Sequence, residues 1–242
     1  MALPQIATES YTCTLPSTGE EIQYRPFRVG EQRLLLMANE SGEEKEMFNA
    51  LIKVLETCTE NVKNVKKLST FDLEYLFLQI RSKSVGETVE FETKCTEEDC
   101  DESIKVEFDL STIEPEAGEG HNKVIQLTDS IGLQMKYLDI DFVLEEAGGS
   151  SDVEFSFKAI TESIEVIYDG DEVFKVADET KEEVQRFLDS LSDTHLKEIN
   201  KFIDTTPKLR KTIEWECPNG HANKNVFEGL NDFFGLGSST SL

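Results

Sequence analysis

Near its N-terminus the chain alternates. Tyr11, Cys13 and Leu15 alternate with Thr12 and Thr14, Ser17-Thr18-Gly19-Glu20 has turn chemistry, and Ile22 and Tyr24 resume the alternation before Pro26. A period of two puts one set of side chains on one face of a strand, so the first thirty residues predict a β-hairpin. From Gly30 the spacing lengthens. Met47, Leu51, Val54, Leu55 and Cys58 recur every three or four residues, which is the apolar stripe of a helix. Ser41-Gly42 divides this helix from a preceding one, and Glu43, Glu44 and Glu46 suit the positive end of its dipole. A third helix is predicted from Ser69 or Thr70 as N-cap to Gly86, which ends it.

Alternation then returns. Val89 and Phe91 precede, and Ile104, Val106 and Phe108 follow, a turn bounded by Cys95 and Cys100, predicting a hairpin. Residues 114–123 form a polar connector, residues 124–138 read as a short extended pair, and residues 145–152 are turn-like. Between Val153 and Tyr168 the two periods mix, and the longer part is read as helix. Thr180 and Glu183 have capping-box spacing ahead of one helix, and Ser192-Asp193-Thr194 restarts another that Pro207 stops. Residues 211–216, the turn Cys217-Pro218-Asn219-Gly220-His221, and residues 223–230 repeat the strand, turn and strand of the first cysteine hairpin.

The fold class is therefore α+β, with helices and short β-hairpins. Its segments are an extended N-terminus (1–29), a helical region (30–86), a first knuckle hairpin (87–113), a connector with an inserted, mostly helical region (114–210), a second knuckle hairpin (211–230) and a flexible tail (231–242).

The two knuckles carry the main chemical signal. Cys95-x4-Cys100 and Cys217-x3-His221 each set two soft or borderline ligands across a tight turn, and together offer the three thiolates and one imidazole of a tetrahedral zinc site. Four protein ligands fill a tetrahedron, so such a zinc would be structural, tying mid-chain to the C-terminus as a split zinc ribbon. The bland alternative is a set of ordinary turn thiols and a solvated histidine, because neither spacing is C-x2-C. Cys13 and Cys58 lie on apolar faces and read as small core residues, while His121 and His195 read as solvated. Phosphate-binding glycine loops, zincin motifs and nucleophile elbows are absent from the sequence. No catalytic residue is assigned, and an enzyme is disfavoured.

Charge narrows the partners. Among 242 residues, 49 Asp and Glu oppose 24 Lys and Arg, for a net −25. Phosphate backbones and anionic membranes repel such a surface, so nucleic acid and membrane are not expected partners. Neither a secretory leader nor an apolar run of about 18 residues is found. Five cysteines in a chain this long suit a reducing cytosol rather than a disulfide framework.

Several short motifs occur in a telling order: Leu15-Pro16-Ser17-Thr18-Gly19, Tyr24-Arg25-Pro26-Phe27, Phe71-Asp72-Leu73-Glu74-Tyr75-Leu76-Phe77, Arg81-Ser82-Lys83-Ser84-Val85-Gly86, Ile167-Tyr168-Asp169-Gly170-Asp171 and Pro207-Lys208-Leu209. With both knuckles and the closing Glu228-Gly229-Leu230-Asn231-Asp232-Phe233-Phe234, the chain resembles, over nearly its whole length, the baseplate hub protein family of T-even-like contractile-tailed bacteriophages. The resemblance implies a non-enzymatic hub subunit or hub-assembly factor in tail morphogenesis. It would be made in the host cytoplasm, would contact other baseplate hub or tail proteins, and is compatible with a homo-oligomer or ring component. It also implies Cys pairs at both knuckles, from which His221 and the longer first turn depart.

Arg25, Phe27, Arg81 and Lys83 are candidate docking residues in an acidic chain, or else internal ion pairs and caps. Phe233 and Phe234 are either a short binding peptide or part of the core. The alternative role is a transient tail-assembly chaperone that leaves before the virion is complete. Rivals from other classes are a cysteine-based hydrolase or redox protein on Cys95, Cys100 or Cys217, and a zinc-ribbon nucleic-acid binder, which the acidic stretch from Glu92 to Glu119 opposes.

Overall fold

The computed structural model describes residues 6–97, 99–146 and 151–235. It divides into two compact units, one from Met1–Glu116 with Lys208–Leu242 and one from Ala117–Pro207. Part of the predicted turn at 145–152 and the last seven residues of the predicted flexible tail lie outside the described residues.

The first unit begins with the predicted hairpin, β1 (Tyr11–Thr14) and β2 (Glu21–Tyr24), paired antiparallel with Cys13 opposite Ile22. Helices α1 (Val29–Ser41), α2 (Glu44–Cys58) and α3 (Thr70–Val85) follow. Gly42 closes α1 at φ +70°, a left-handed conformation that a side chain would strain. Ser69 caps α3 by accepting the Asp72 N–H, as expected for that residue type. Helix α3 is nearly enclosed: Phe71, Leu73, Leu76, Phe77, Leu78 and Ile80 are each at most 2% exposed. Apolar side chains buried on several sides place α3 in the core, and each such side chain stabilises by about 1.5–3 kcal/mol of transfer free energy. Asp72, 1% exposed, accepts hydrogen bonds from the Ser17 N–H (3.0 Å) and the hydroxyls of Ser69 (2.7 Å) and Ser17, tying the first turn to the start of α3.

The first knuckle hairpin is β3 (Thr88–Lys94) with β4 (Ser103–Asp109), in register from Thr88 opposite Asp109 to Lys94 opposite Ser103. Strand β5 (Pro115–Glu116) ends the first pass through this unit.

The second unit carries more sheet than the sequence suggests. Its strands β6 (Val124–Gln126) and β7 (Ile131–Met135) are the expected extended pair, followed by α4 (Ile140–Glu146) and α5 (Asp152–Ser163). The mixed stretch resolves into its two periods. Helix α5 takes the longer part and β8 (Ile164–Asp169) the rest, leading to β9 (Glu172–Lys175). The four strands form one antiparallel sheet in the order β6-β7-β8-β9. Helices α6 (Lys181–Asp189) and α7 (Asp193–Asp204) follow, each opened by a capping box, on Thr180 with Glu183 and on Ser192 with His195. The core gathers Leu133, Met135, Ile164, Leu188, Ile199 and Phe202 with their neighbours.

His121 is not a free solvated side chain. It stacks on Tyr137 (centroids 5.7 Å) and Phe202 (5.0 Å), and its ring nitrogens meet the hydroxyls of Thr205 (2.9 Å) and Tyr137 (3.0 Å). Two neighbouring aromatic rings shelter it, which sequence distance concealed.

The chain returns to the first unit with β10 (Lys208–Glu216), β11 (Ala222–Glu228) and α8 (Gly229–Gly235). Strand β10 lies between β11 and β5, and the β10–β11 register runs from Arg210 opposite Glu228 to Glu216 opposite Ala222.

Candidate metal centre

Two turns build this centre. In the second, the Gly220 N–H donates to the Cys217 carbonyl (2.8 Å) and the Cys217 N–H to the His221 carbonyl (3.0 Å), with Gly220 at φ +84°. Pro218 and Asn219 occupy the middle of that turn, where proline presets φ and glycine then supplies the left-handed residue. In the first, the Cys95 N–H donates to the Glu102 carbonyl (2.9 Å) and the Cys100 N–H to the Glu97 carbonyl (3.0 Å). Both turns thus throw their terminal side chains to one side.

Those side chains converge. One ligand atom each from Cys95, Cys100, Cys217 and His221 lies within 4.8 Å of all the others. Cys95 Sγ is 3.6 Å from His221 Nδ1, and Cys100 Sγ is 3.9 Å from Cys217 Sγ. A tetrahedral metal bonded to sulfur at about 2.3 Å and to imidazole nitrogen at about 2.0–2.1 Å holds its donors roughly 3.5–3.8 Å apart, so the spacing fits. All three cysteines are buried, and Trp215 packs against them.

The surroundings also suit thiolates. Amide hydrogens reach each sulfur: Asn223 Nδ2 donates to Cys95 (3.5 Å), Asn219 Nδ2 to Cys100 (3.4 Å) and the His221 N–H to Cys217 (3.4 Å). The Glu97 N–H, with Asn223, holds the Cys95 thiol below its ordinary pKa, whereas burial pushes Cys217 up. Asn223 is 5% exposed and spans both knuckles. It donates to the His221 carbonyl (2.9 Å) and accepts from the Thr96 N–H (2.8 Å) and hydroxyl (3.0 Å). Outer-shell partners of this kind orient the ligands. Sequence reasoning passed over Asn223; the available signal was a polar residue two positions after His221 on an inward phase of β11.

The other cysteines are placed as core residues. Cys58 is buried and Cys13 partly so, and burial pushes both thiols up to about 11, the wrong direction for a nucleophile.

The docking candidates fall mostly inside the first unit. Arg25 pairs with Glu31 (2.9 Å) and donates to the carbonyls of Pro26 (2.9 Å) and Thr57 (3.2 Å). Lys83 pairs with Glu87 and lies 5.4 Å from the Tyr11 ring centroid. Arg81 is 8% exposed, its pKa lowered by burial, so its place on α3 overrides its charge. Phe233 is 2% exposed and packs edge-on to Phe108 (6.3 Å) and near Phe227 (6.5 Å), so it is a core residue and not a free anchor. Phe27 is half-buried, its N–H donating to Ser84 Oγ (2.9 Å). The Phe234 side chain lies outside the described residues. No helix among those described is long and apolar enough to cross a membrane.

In this mixed α+β chain two hairpins converge on a four-donor cluster that could hold a metal. The family described as T4 bacteriophage base plate protein matches residues 8–235, and the chain belongs to that family. No curated protein and no solved structure matches it.

Proposed function

We propose that this chain is a non-enzymatic structural protein of the tail baseplate hub, made in the host cytoplasm and acting through protein contacts during tail morphogenesis. One observation carries the reading: the match to the base plate protein family extends over residues 8–235, nearly the entire chain. The clasp supports it. Cys95, Cys100, Cys217 and His221 would hold zinc, whose four protein ligands leave no coordination position for a reacting water. The zinc would supply a fixed cross-link, and the residues around it position the donors and exclude solvent. Both knuckles are acidic or neutral at their tips, which suits a protein partner better than a phosphate backbone.

Quantitative mass spectrometry of purified finished particles, beside the infected-cell lysate, tests the reading. A fixed ratio to a known tail protein in the particle supports a hub subunit. Abundance in the lysate with none in the particle overturns it and makes the chain a transient assembly chaperone. Elemental analysis of the purified protein tests the metal, with one zinc per chain expected.

A further inference from the structure

A cavity of about 350 Å³ lies within the first unit, bounded by the α1–α2 junction, α3 and the β11–α8 junction. That volume is at the small end of ligand sites, about 300–1,000 Å³. Ala38, Met47, Phe48, Leu51 and Leu230 give it apolar walls, and Gly42 and Glu43 form an exposed lip. Into this setting α3 contributes one carboxylate, Glu74, which accepts the backbone N–H of Leu230. The cations of this corner are taken by Glu228, which pairs with Lys208 (2.9 Å) and Arg210 (3.6 Å). Among the described residues no lysine or arginine forms an ion pair with Glu74.

Glu74 is largely withdrawn from water, and Lys208, the cation that acts on it, is already paired with Glu228, so its charge is only weakly compensated. Burial first, and then the neighbouring Glu228, push Glu74 up to about 7, against the lowering effects of the Leu230 N–H and of Lys208. We infer that this cavity receives a cationic side chain, arginine or lysine, from an apolar segment of a partner protein, with its charge on Glu74 and its methylene stem along Met47, Phe48 and Leu51. The apolar walls suit the stem, because long basic side chains lay their methylenes on apolar surface while the charged end finds a partner. Charge complementarity selects this occupant: Glu43, Glu74 and Glu228 all line the cavity, and the whole chain attracts cations at net −25. Arginine is the better fit, since its planar fork engages a carboxylate with two hydrogen bonds.

The inference rests on the reading that the chain works through protein contacts. Its test uses purified protein and a defined peptide, so its result is independent of whether the chain occurs in finished particles. The probes are N-acetyl-Leu-Arg-Leu-amide, the same peptide with uncharged citrulline in place of arginine, and free arginine, titrated by calorimetry against the full zinc-loaded chain and its Glu74→Gln variant. The arginine peptide is expected to bind the unaltered chain about tenfold more tightly than the citrulline peptide, a charge-assisted preference that Glu74→Gln abolishes. Equal binding of the two peptides, absence of binding, or a preference that survives Glu74→Gln overturns the inference. Free arginine binding as tightly as the peptide overturns the partner-protein source and makes the cavity a small-molecule site. The comparison of the two peptides on the unaltered chain stands alone if the variant fails to fold.

Discussion

The two units are held together by different physics. The second is one uninterrupted stretch, Ala117–Pro207, whose core of Leu133, Met135, Ile164, Ile199, Phe202 and neighbours closes from its own strands and helices. The first is assembled from two separated stretches. At the tips of its two cysteine hairpins the buried cluster is Cys95, Cys100 and Cys217, with Trp215 packed against them, while further along the strands Phe108 of β4 packs on Phe227 of β11 (5.9 Å). Apolar burial is non-directional and needs many side chains, whereas a metal fixes four donors at set distances with almost no apolar area. The lesson is that at the hairpin tips, beyond the Phe108–Phe227 contact, the four donors could bind a metal, whose directional bonds need little apolar surface. Helices α2 and α3 supply many of the first unit's buried apolar side chains, and Cys95 and Cys100 of its first stretch lie beside Cys217 and His221 of its second.

Metal removal should give the largest effect. Trp215, the chain's single tryptophan, sits against the clasp, so its fluorescence reports that end of the first unit. At free zinc near 1,000 times Kd, binding stabilises the folded form by about 4 kcal/mol, and a strong chelator should withdraw that amount. Cys100→Ser should reproduce the loss without chelator. Urea unfolding followed through Trp215 measures both, and a midpoint indifferent to both treatments would reduce the clasp to packed thiols. Conversely, Ile199→Ala, at a side chain 0% exposed, should cost the second unit about 3 kcal/mol through its cavity. Zinc stoichiometry should stay at that of the unaltered chain; a loss of bound zinc in Ile199→Ala would break the division of labour.

What the sequence could disclose followed the range of each interaction. Capping at Ser69 and Thr180, the hairpin turns and the helical stripe of α2 are local, and they read correctly from residue spacing. The four knuckle residues were legible as a candidate set because soft and borderline donors flank two tight turns, even though only the fold brings Cys95 to His221. By contrast, Arg81 and Phe233 stayed open between a docking and an internal place in sequence, and only packing around α3 and against Phe108 shows that both are buried. Strand β9 was missed because Glu172–Lys175 is exposed throughout and offers no buried alternation. His121 and Glu74 draw their character from neighbours remote in sequence, so no local pattern could reveal them, whereas Asn223 left a faint one in its inward phase on β11.

Glu74 sharpens the comparison inside the first unit, since it sets an electrostatic penalty beside the apolar core. Its folded pKa of about 7 lies above the ordinary 4.5, so the folded state holds the proton more tightly than the unfolded chain. The stabilising effect of protonation is full below about pH 4.5 and fades as pH rises through 7, where the buried carboxylate ionises. Glu74→Gln stays neutral throughout. Relative to the parent chain it should gain on the order of 2 kcal/mol between those limits and hold the gain above them. Urea midpoints measured across that range check the sign, and a gain that grows toward acid would contradict it.

The smallest effect tests the second unit's independence from the clasp. Thr180 opens α6 with a reciprocal cap: the Glu183 N–H donates to Thr180 Oγ1 (3.3 Å), and Glu183 Oε2 accepts from the Thr180 N–H (3.1 Å) and hydroxyl (2.6 Å). These bonds, the hydroxyl first, hold the Glu183 carboxyl below its ordinary range, so the carboxylate half of the cap is intact at neutral pH and weakens as pH falls through the folded pKa. Thr180→Ala removes the oxygen that satisfies the first turn of α6 and should destabilise the second unit by about 1 kcal/mol. Leu188, on the same helix, belongs to the core, so the change should appear as faster amide exchange along α6 and at that core residue. The urea transition seen by Trp215 should not move, because the cap belongs to one unit and the tryptophan to the other. A matching shift in both signals would mean that the units unfold together, and the contrast between apolar closure and metal clasp would then describe two parts of one cooperative structure.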